Sequence, residues 1–171
     1  MSQRREKSIF ISSTSQGLKP YRQLATDIVS CQDYKAVVQE HFDTPHDQLI
    51  LKIKKRITDS AGVIAIVGPY YGAQSQSIRH GKPLSYTQFE LLYALEGCRK
   101  PCLILHASDT FQPKADADGN LPQQSAECQE WQQAFIGEIH GFKNCGLATF
   151  RDEFEFVLAL AKLRWEEWLD G

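Results

Sequence analysis

The stretch Gly62-Val63-Ile64-Ala65-Ile66-Val67-Gly68 carries no polar side chain between its two glycines. An amphipathic helix or a half-exposed strand would alternate polar and apolar positions. A short β-branched run that is apolar on both faces is instead the pattern of a central parallel strand covered by helices on either side. Similar runs lie on both sides of it: Ser8-Ile9-Phe10-Ile11-Ser12, Ala36-Val37-Val38, Cys102-Leu103-Ile104-Leu105 and Leu147-Ala148-Thr149-Phe150. Helical patterns separate them. One begins near Pro20, with Tyr21, Leu24, Ala25 and Ile28 on one face. A second opens near Asp47, which serves as its cap, and sets Leu49, Ile50, Ile53 and Ile57 against a cationic face of Lys52, Lys54, Lys55 and Arg56. A third runs from about Tyr86 to Glu96 and a fourth from Ala126 to Ile139. The last carries an apolar stripe of Phe154, Val157, Leu158, Ala161, Trp165 and Trp168. Strand and helix thus alternate five times, which predicts an α/β fold: a flavodoxin-like three-layer sandwich with a five-stranded parallel sheet in the order 2-1-3-4-5 and helices on both faces.

Composition narrows the functional classes. A chain of 171 residues, 42% hydrophobic and 23% charged, is long enough for a real core and reads as one domain over residues 1–171. A formal net charge of -2 offers no bulk attraction to nucleic acid or membrane, so neither is expected as a partner. No run approaches the roughly 20 apolar residues of a membrane span, and residues 1–7 do not form a signal-peptide core, so a cytoplasmic location is expected. The five cysteines, Cys31, Cys98, Cys102, Cys128 and Cys145, are odd in number and scattered, as reduced thiols are. No metal site or resident cofactor is expected. Asp116-Ala117-Asp118-Gly119-Asn120 imitates a calcium loop, but its glycine stands at the fourth position and it reads as a surface turn. Neither phosphate-binding glycine motif is present, and His41, His46, His80, His106 and His140 are dispersed. Of these His106, at the end of the fourth strand, lies nearest the expected crevice.

Two connections, Pro69 to Leu84 and Ala107 to Gln124, read as long loops, and Arg79 with His80 in the first could close over a phosphate. Open parallel sheets bind ligands outside the carboxyl ends of their strands, beside strands one and three in this order. The turns there are chemically distinctive. Ser12-Ser13-Thr14-Ser15 offers hydroxyls suited to ribose or phosphate, and Gly68-Pro69-Tyr70-Tyr71-Gly72 offers glycine flexibility with rings suited to a base. Ser85-Tyr86-Thr87-Gln88-Phe89-Glu90 starts the third helix, with Ser85 or Thr87 able to cap it. It brings Glu90 close to the same crevice among apolar neighbours.

Taken in order, Ile9-Phe10-Ile11-Ser12-Ser13-Thr14, Tyr21-Arg22, Asp59 through Gly72, Ser85-Tyr86-Thr87-x-x-Glu90 and Pro101 through Leu105 resemble the TIR-like "F-I-S-S-T" family of domains of unknown function. That family lies within the TIR and nucleoside deoxyribosyltransferase-like superfamily. The resemblance covers most of the chain and implies an N-terminal effector module of a larger bacterial protein, self-associating or fused to sensor or NTPase domains. It implies NAD hydrolase or nucleotide N-glycosidase activity in signalling or antiphage defence, with NAD or a related nucleotide as substrate. Glu90 would be the catalytic carboxylate at the ribosyl carbon, stabilising charge or forming a transient covalent bond. Ser12, Ser13 and Thr14 would contact ribose or phosphate oxygens, and Gly68, Tyr70, Tyr71 and Ser85 would help hold the nucleoside. The chain departs from the deoxyribosyltransferase pattern in lacking an aspartate just after the central strand, which speaks against transfer between nucleobases. The alternative is a non-catalytic TIR-like adaptor that self-associates and mediates protein–protein interaction.

Overall fold

In a computed structural model, residues 6–39 and 45–171 are described. The readings that concern residues 1–5 and His41 lie outside them. The chain runs β1 (Ser8–Ser13), α1 (Lys19–Cys31), β2 (Lys35–Val38), α2 (His46–Asp59), β3 (Gly62–Val67), β4 (Gln74–Arg79), β5 (Lys82–Ser85), α3 (Tyr86–Leu92), a π-helical turn (Tyr93–Gly97), β6 (Cys102–Ala107), α4 (Ala126–Ile139), β7 (Gly146–Phe150), α5 (Glu153–Ala161) and α6 (Trp165–Asp170). The main sheet is parallel and ordered β2-β1-β3-β6-β7, which is 2-1-3-4-5 counted along its own strands. The sandwich expected from residues 62–68 is therefore present, and every residue of β3 is buried.

Side chains alternate between two covered faces. Ile9, Ile11, Ile64, Ile66, Leu103 and Leu105 pack on one face against Tyr21, Ala25 and Val29 of α1 and Phe156 and Leu160 of α5. Phe10, Val63 and Cys102 pack on the other against Leu49, Ile53 and Ile57 of α2. Ala65, Val67 and Ile104 extend that second face toward Leu91 and Leu92 of α3 and Phe135 and Ile139 of α4. Each fully buried isoleucine contributes about 1.5–3 kcal/mol relative to exposure, so the paired faces fix strand register strongly.

Four local readings are corrected. Helix α2 begins at His46 after Pro45 without a side-chain cap, and Asp47 lies inside its first turn. Residues 69–84 are not a loop: β4 and β5 form an antiparallel hairpin whose central residues, His80 and Gly81, both have positive φ, at 52° and 75°. Two consecutive positive φ values suit a two-residue hairpin turn. The third helix keeps α geometry only to Leu92 and finishes as the π-helical turn. The final helix breaks between Ala161 and Trp165, and its buried residues in the first part are Phe156 and Leu160, leaving Phe154 75% exposed. Its orientation is set by Phe156, whose ring packs on Tyr21 and Phe150 with centroids 5.2 and 5.0 Å away.

Candidate active site

The alternation along β1 decides where its terminal hydroxyls go. Ser12 follows Phe10 onto the α2–α3 face, while Ser13 follows Ile9 and Ile11 onto the other. Ser12 lies in register with Ala65 of β3, at the carboxyl end of the sheet. Helix α3 starts at Tyr86 under a complete capping box: the Ser85 hydroxyl accepts from the Gln88 amide, and the Gln88 side chain accepts from the Ser85 amide. That start places Glu90 over β1, and the Ser12 hydroxyl donates to Glu90 Oε2 at 2.5 Å. The pair is closed in, with Ser12 0% and Glu90 1% exposed. Burial pushes the Glu90 carboxyl from 4.5 up to about 8, against the opposing pull of the Ser12 hydroxyl and the positive charge of Arg22. The shift favours the protonated form of the resting carboxyl.

The remaining hydroxyls of the turn divide. The Ser13 hydroxyl donates to the Thr14 carbonyl at 2.9 Å. Thr14 is buried, and its Oγ1 has no hydrogen-bond partner among the described residues. Its methyl group lies against Gly72, where an added Cβ would come within 2.7 Å of Thr14 Cγ2. Because Gly72 also has φ +82°, both conformation and space call for glycine there.

Gly68 ends the central strand pressed on Leu18, leaving room for no side chain. Its carbonyl accepts from Gln132 Nε2 at 2.6 Å, and Gln132 Oε1 accepts in turn from Gln88 Nε2 at 2.9 Å. Gln88 is the capping partner of Ser85, so a buried relay of two glutamines ties the exit of β3 to the start of α3 and to α4. Gln124 performs a similar task from outside, donating to the Pro69 carbonyl and accepting from the Tyr71 amide. These three glutamines tie together the elements around the β3 exit and the start of α3, and nothing in the sequence alone marks them for that task. Their amides would have needed the fold to be connected, although the Ser85-x-x-Gln88 spacing does signal a capping box.

Tyr71 is buried, donates its hydroxyl to the Pro83 carbonyl at 2.7 Å and packs on Trp131, so it anchors the hairpin. Burial raises its phenol above the usual range. Tyr70 lies on the other side of the β3 exit, 3.2 Å from where a Gly17 Cβ would stand, and lines a cleft at the ends of β3 and β6. Arg79 is held away from the cleft at the ends of β3 and β6: both Nη atoms donate to Glu96 at 3.0 Å and its Nε donates to Glu138 at 3.2 Å. Thus the structure joins Ser12 directly to Glu90 and sets Ser85 at the start of the helix that carries Glu90. Thr14 and Gly72 pack against each other, and Tyr70 and Tyr71 occupy separate settings.

The Asp116 carboxylate accepts from the amides of Asp118 and Asn120, which closes that segment as a turn. Among the described residues no group of three or more His, Cys, Asp or Glu is disposed to hold a metal ion, and all five cysteines are free. No helix among the described residues is long and apolar enough to cross a membrane.

A family model described as "Domain of unknown function (DUF4062)" matches residues 8–162. No curated protein matches the chain. Among solved structures, poly(aspartic acid) hydrolase-1 from Sphingomonas sp. KT-1 is similar at 12% sequence identity with a TM-score of 0.40, over 94% of this chain and 88% of that one. A likeness of that depth carries no inference about activity.

Proposed function

Taking as premise that this chain belongs to the DUF4062 family, we propose that it is a TIR-like module of the F-I-S-S-T type that cleaves the N-glycosidic bond of NAD or a related nucleotide. The observation that carries the reading is the buried hydrogen bond between Ser12 and Glu90 at the carboxyl end of the parallel sheet. Sugar–nitrogen cleavage passes through an oxocarbenium-like transition state, and a carboxylate beside the anomeric carbon stabilises the charge that develops there. In NAD the bound nicotinamide is a pyridinium cation and departs as the neutral base. The C–N bond breaks with its electron pair going to the ring nitrogen, water adds to the ribosyl carbon, and one proton is released. No strong general acid is required.

A raised carboxyl suits this role on one condition: it must lose its proton when substrate arrives. The pyridinium supplies the means, because a positive charge within a few ångströms favours the ionised form. Ser12 then donates to one carboxylate oxygen and fixes its direction. Thr14 would offer its hydroxyl to the ribose, with Ser13 holding the turn. Gly68, Tyr71 and Ser85 serve by fixing the β3 exit and the helix that bears the acid, and Tyr70 by receiving an aromatic group. An effector or signalling role in bacterial defence, as one part of a larger or self-associating protein in the cytoplasm, belongs to the same reading.

The closure of the pair favours one second reading. With Glu90 only 1% exposed, it would act as a structural pin in a non-catalytic adaptor. A fluorogenic NAD analogue separates the two. Cleavage by the wild-type chain that falls about 100-fold or more in Glu90→Gln supports the enzyme, a loss typical of removing a transition-state electrostatic partner. Equal signals from both proteins remove Glu90 from the mechanism.

A further inference from the structure

The carboxyl end of the sheet holds a second hollow, on the far side of the β3 exit from Ser12. It is a cleft of about 740 Å³ between the ends of β3 and β6 and the flank of α4. That volume lies within the usual range for a small-molecule site. Its chemistry is selective. Tyr70 and Pro122 give it flat apolar walls, Gln129 and Gln133 present amides one helical turn apart, Asp109 stands at its margin and His106 lines it from β6. No lysine or arginine contributes to this lining, so a phosphate would find no cationic partner. The surface suits a planar, neutral group that offers both hydrogen-bond donors and acceptors.

His106 supplies the second observation. It is only 7% exposed, and its Nδ1 is buried without a hydrogen-bond partner among the described residues. A buried ring nitrogen left unpaired is costly, and a ligand able to pair with it would offset that cost. His140 meets the ring edge-on at 5.6 Å and offers no such bond. Burial first, and then His140, holds the imidazole below its ordinary pKa and so neutral, with Asp109 opposing. A neutral imidazole has one donor and one acceptor, matching the edge of a heterocyclic base.

We propose that this cleft is a nucleobase site, in which the base stacks on Tyr70, presents its edge to His106 and is read by the amides of Gln129 and Gln133. The assignment goes beyond the glycosidase reading and does not depend on it, because base binding requires no turnover. Within that reading, the cleft would receive the base that is not released, with the scissile ribosyl group lying across the β3 exit toward Glu90.

Isothermal titration calorimetry with adenosine tests this, using ribose 5-phosphate as the base-free arm. The wild-type chain should bind adenosine saturably and give no comparable heat with ribose 5-phosphate. Tyr70→Ala should weaken adenosine about tenfold or more, as loss of an aromatic stacking platform does. Gln133→Ala, at an exposed helical position where folding is not at risk, should weaken it severalfold. Lys35→Ala, at the opposite end of the sheet, should leave it unchanged. The proposal is overturned if adenosine shows no saturable binding up to roughly 10 mM, a concentration that even the weakest specific contacts would reach. It is equally overturned if Tyr70→Ala and Gln133→Ala both bind like wild type, or if ribose 5-phosphate binds as tightly as adenosine. Absence of NAD cleavage alongside normal adenosine binding would remove the glycosidase reading and leave the base site standing.

Discussion

Glu90 connects stability to pH in a direction that its chemistry fixes. Its carboxyl is raised from 4.5 to about 8 in the folded chain. The unfolded chain therefore loses that proton first, and stability from this group is complete below about pH 4.5 and declines as pH rises toward 8. Within that window the slope is about 1.4 kcal/mol per pH unit. Glu90→Gln keeps an acceptor for Ser12 and does not titrate. Its melting temperature relative to wild type should rise between pH 5 and pH 8, which thermal unfolding at the two pH values measures; a constant difference would mean that the carboxyl is not raised. At Gly72, alanine meets both a positive φ and the Thr14 methyl group. Gly72→Ala should lose about 1–2 kcal/mol or more in chemical denaturation. The sequence marked the Ser12 turn by its hydroxyls and Glu90 by its apolar neighbours and the family resemblance; that the two side chains meet is a finding of the structure. Gln88, Gln124 and Gln132 were not legible, since an amide becomes a positioning group only once distant elements are brought together.

Elements divide by how much local chemistry defines them. The strands of the main sheet announced themselves as apolar runs, and α4 was bounded as expected, with Ser125 accepting from the Cys128 amide as its cap. Helix α3 depends on its cap as well. Ser85→Ala should cost about 1 kcal/mol in stability and should slacken the helix that carries Glu90, read by denaturation and by hydrogen exchange at Gln88. The β4–β5 hairpin was hidden because Gln74-Ser75-Gln76-Ser77 carries no apolar alternation, and its remaining signal was the short His80-Gly81 turn. Helix α5 misled for the opposite reason: Phe154, Phe156, Val157, Leu158 and Leu160 crowd all sides, so periodicity cannot choose a face. Packing on Tyr21 and Phe150 chooses Phe156. Phe156→Ala should therefore cost about 3–5 kcal/mol and Phe154→Ala less than about 0.5. The reverse ranking in urea unfolding would restore the orientation expected from sequence.

At the scale of the whole molecule, the sheet order brings the ends of β1 and β3 together at its middle, with β6 beside them. One acid and one hydroxyl meet on one side of the β3 exit, and a cleft of about 740 Å³ opens on the other. Strand order reverses between β1 and β3, where the Ser12–Glu90 pair is closed in, and the cleft lies one strand further along, at the ends of β3 and β6. The order was legible because buried parallel strands leave few other arrangements. Which hydroxyl of Ser12, Ser13 and Thr14 meets the acid was not legible, since strand register decides it. The most direct test is nicotinamide release from NAD followed from pH 6 to pH 9 in the wild-type chain and in Glu90→Gln. A kcat/KM that climbs with pH as the free Glu90 carboxyl ionises, and that is lost in the variant, is the expected result; release that is absent at every pH, or that the variant matches, would contradict a catalytic Ser12–Glu90 pair.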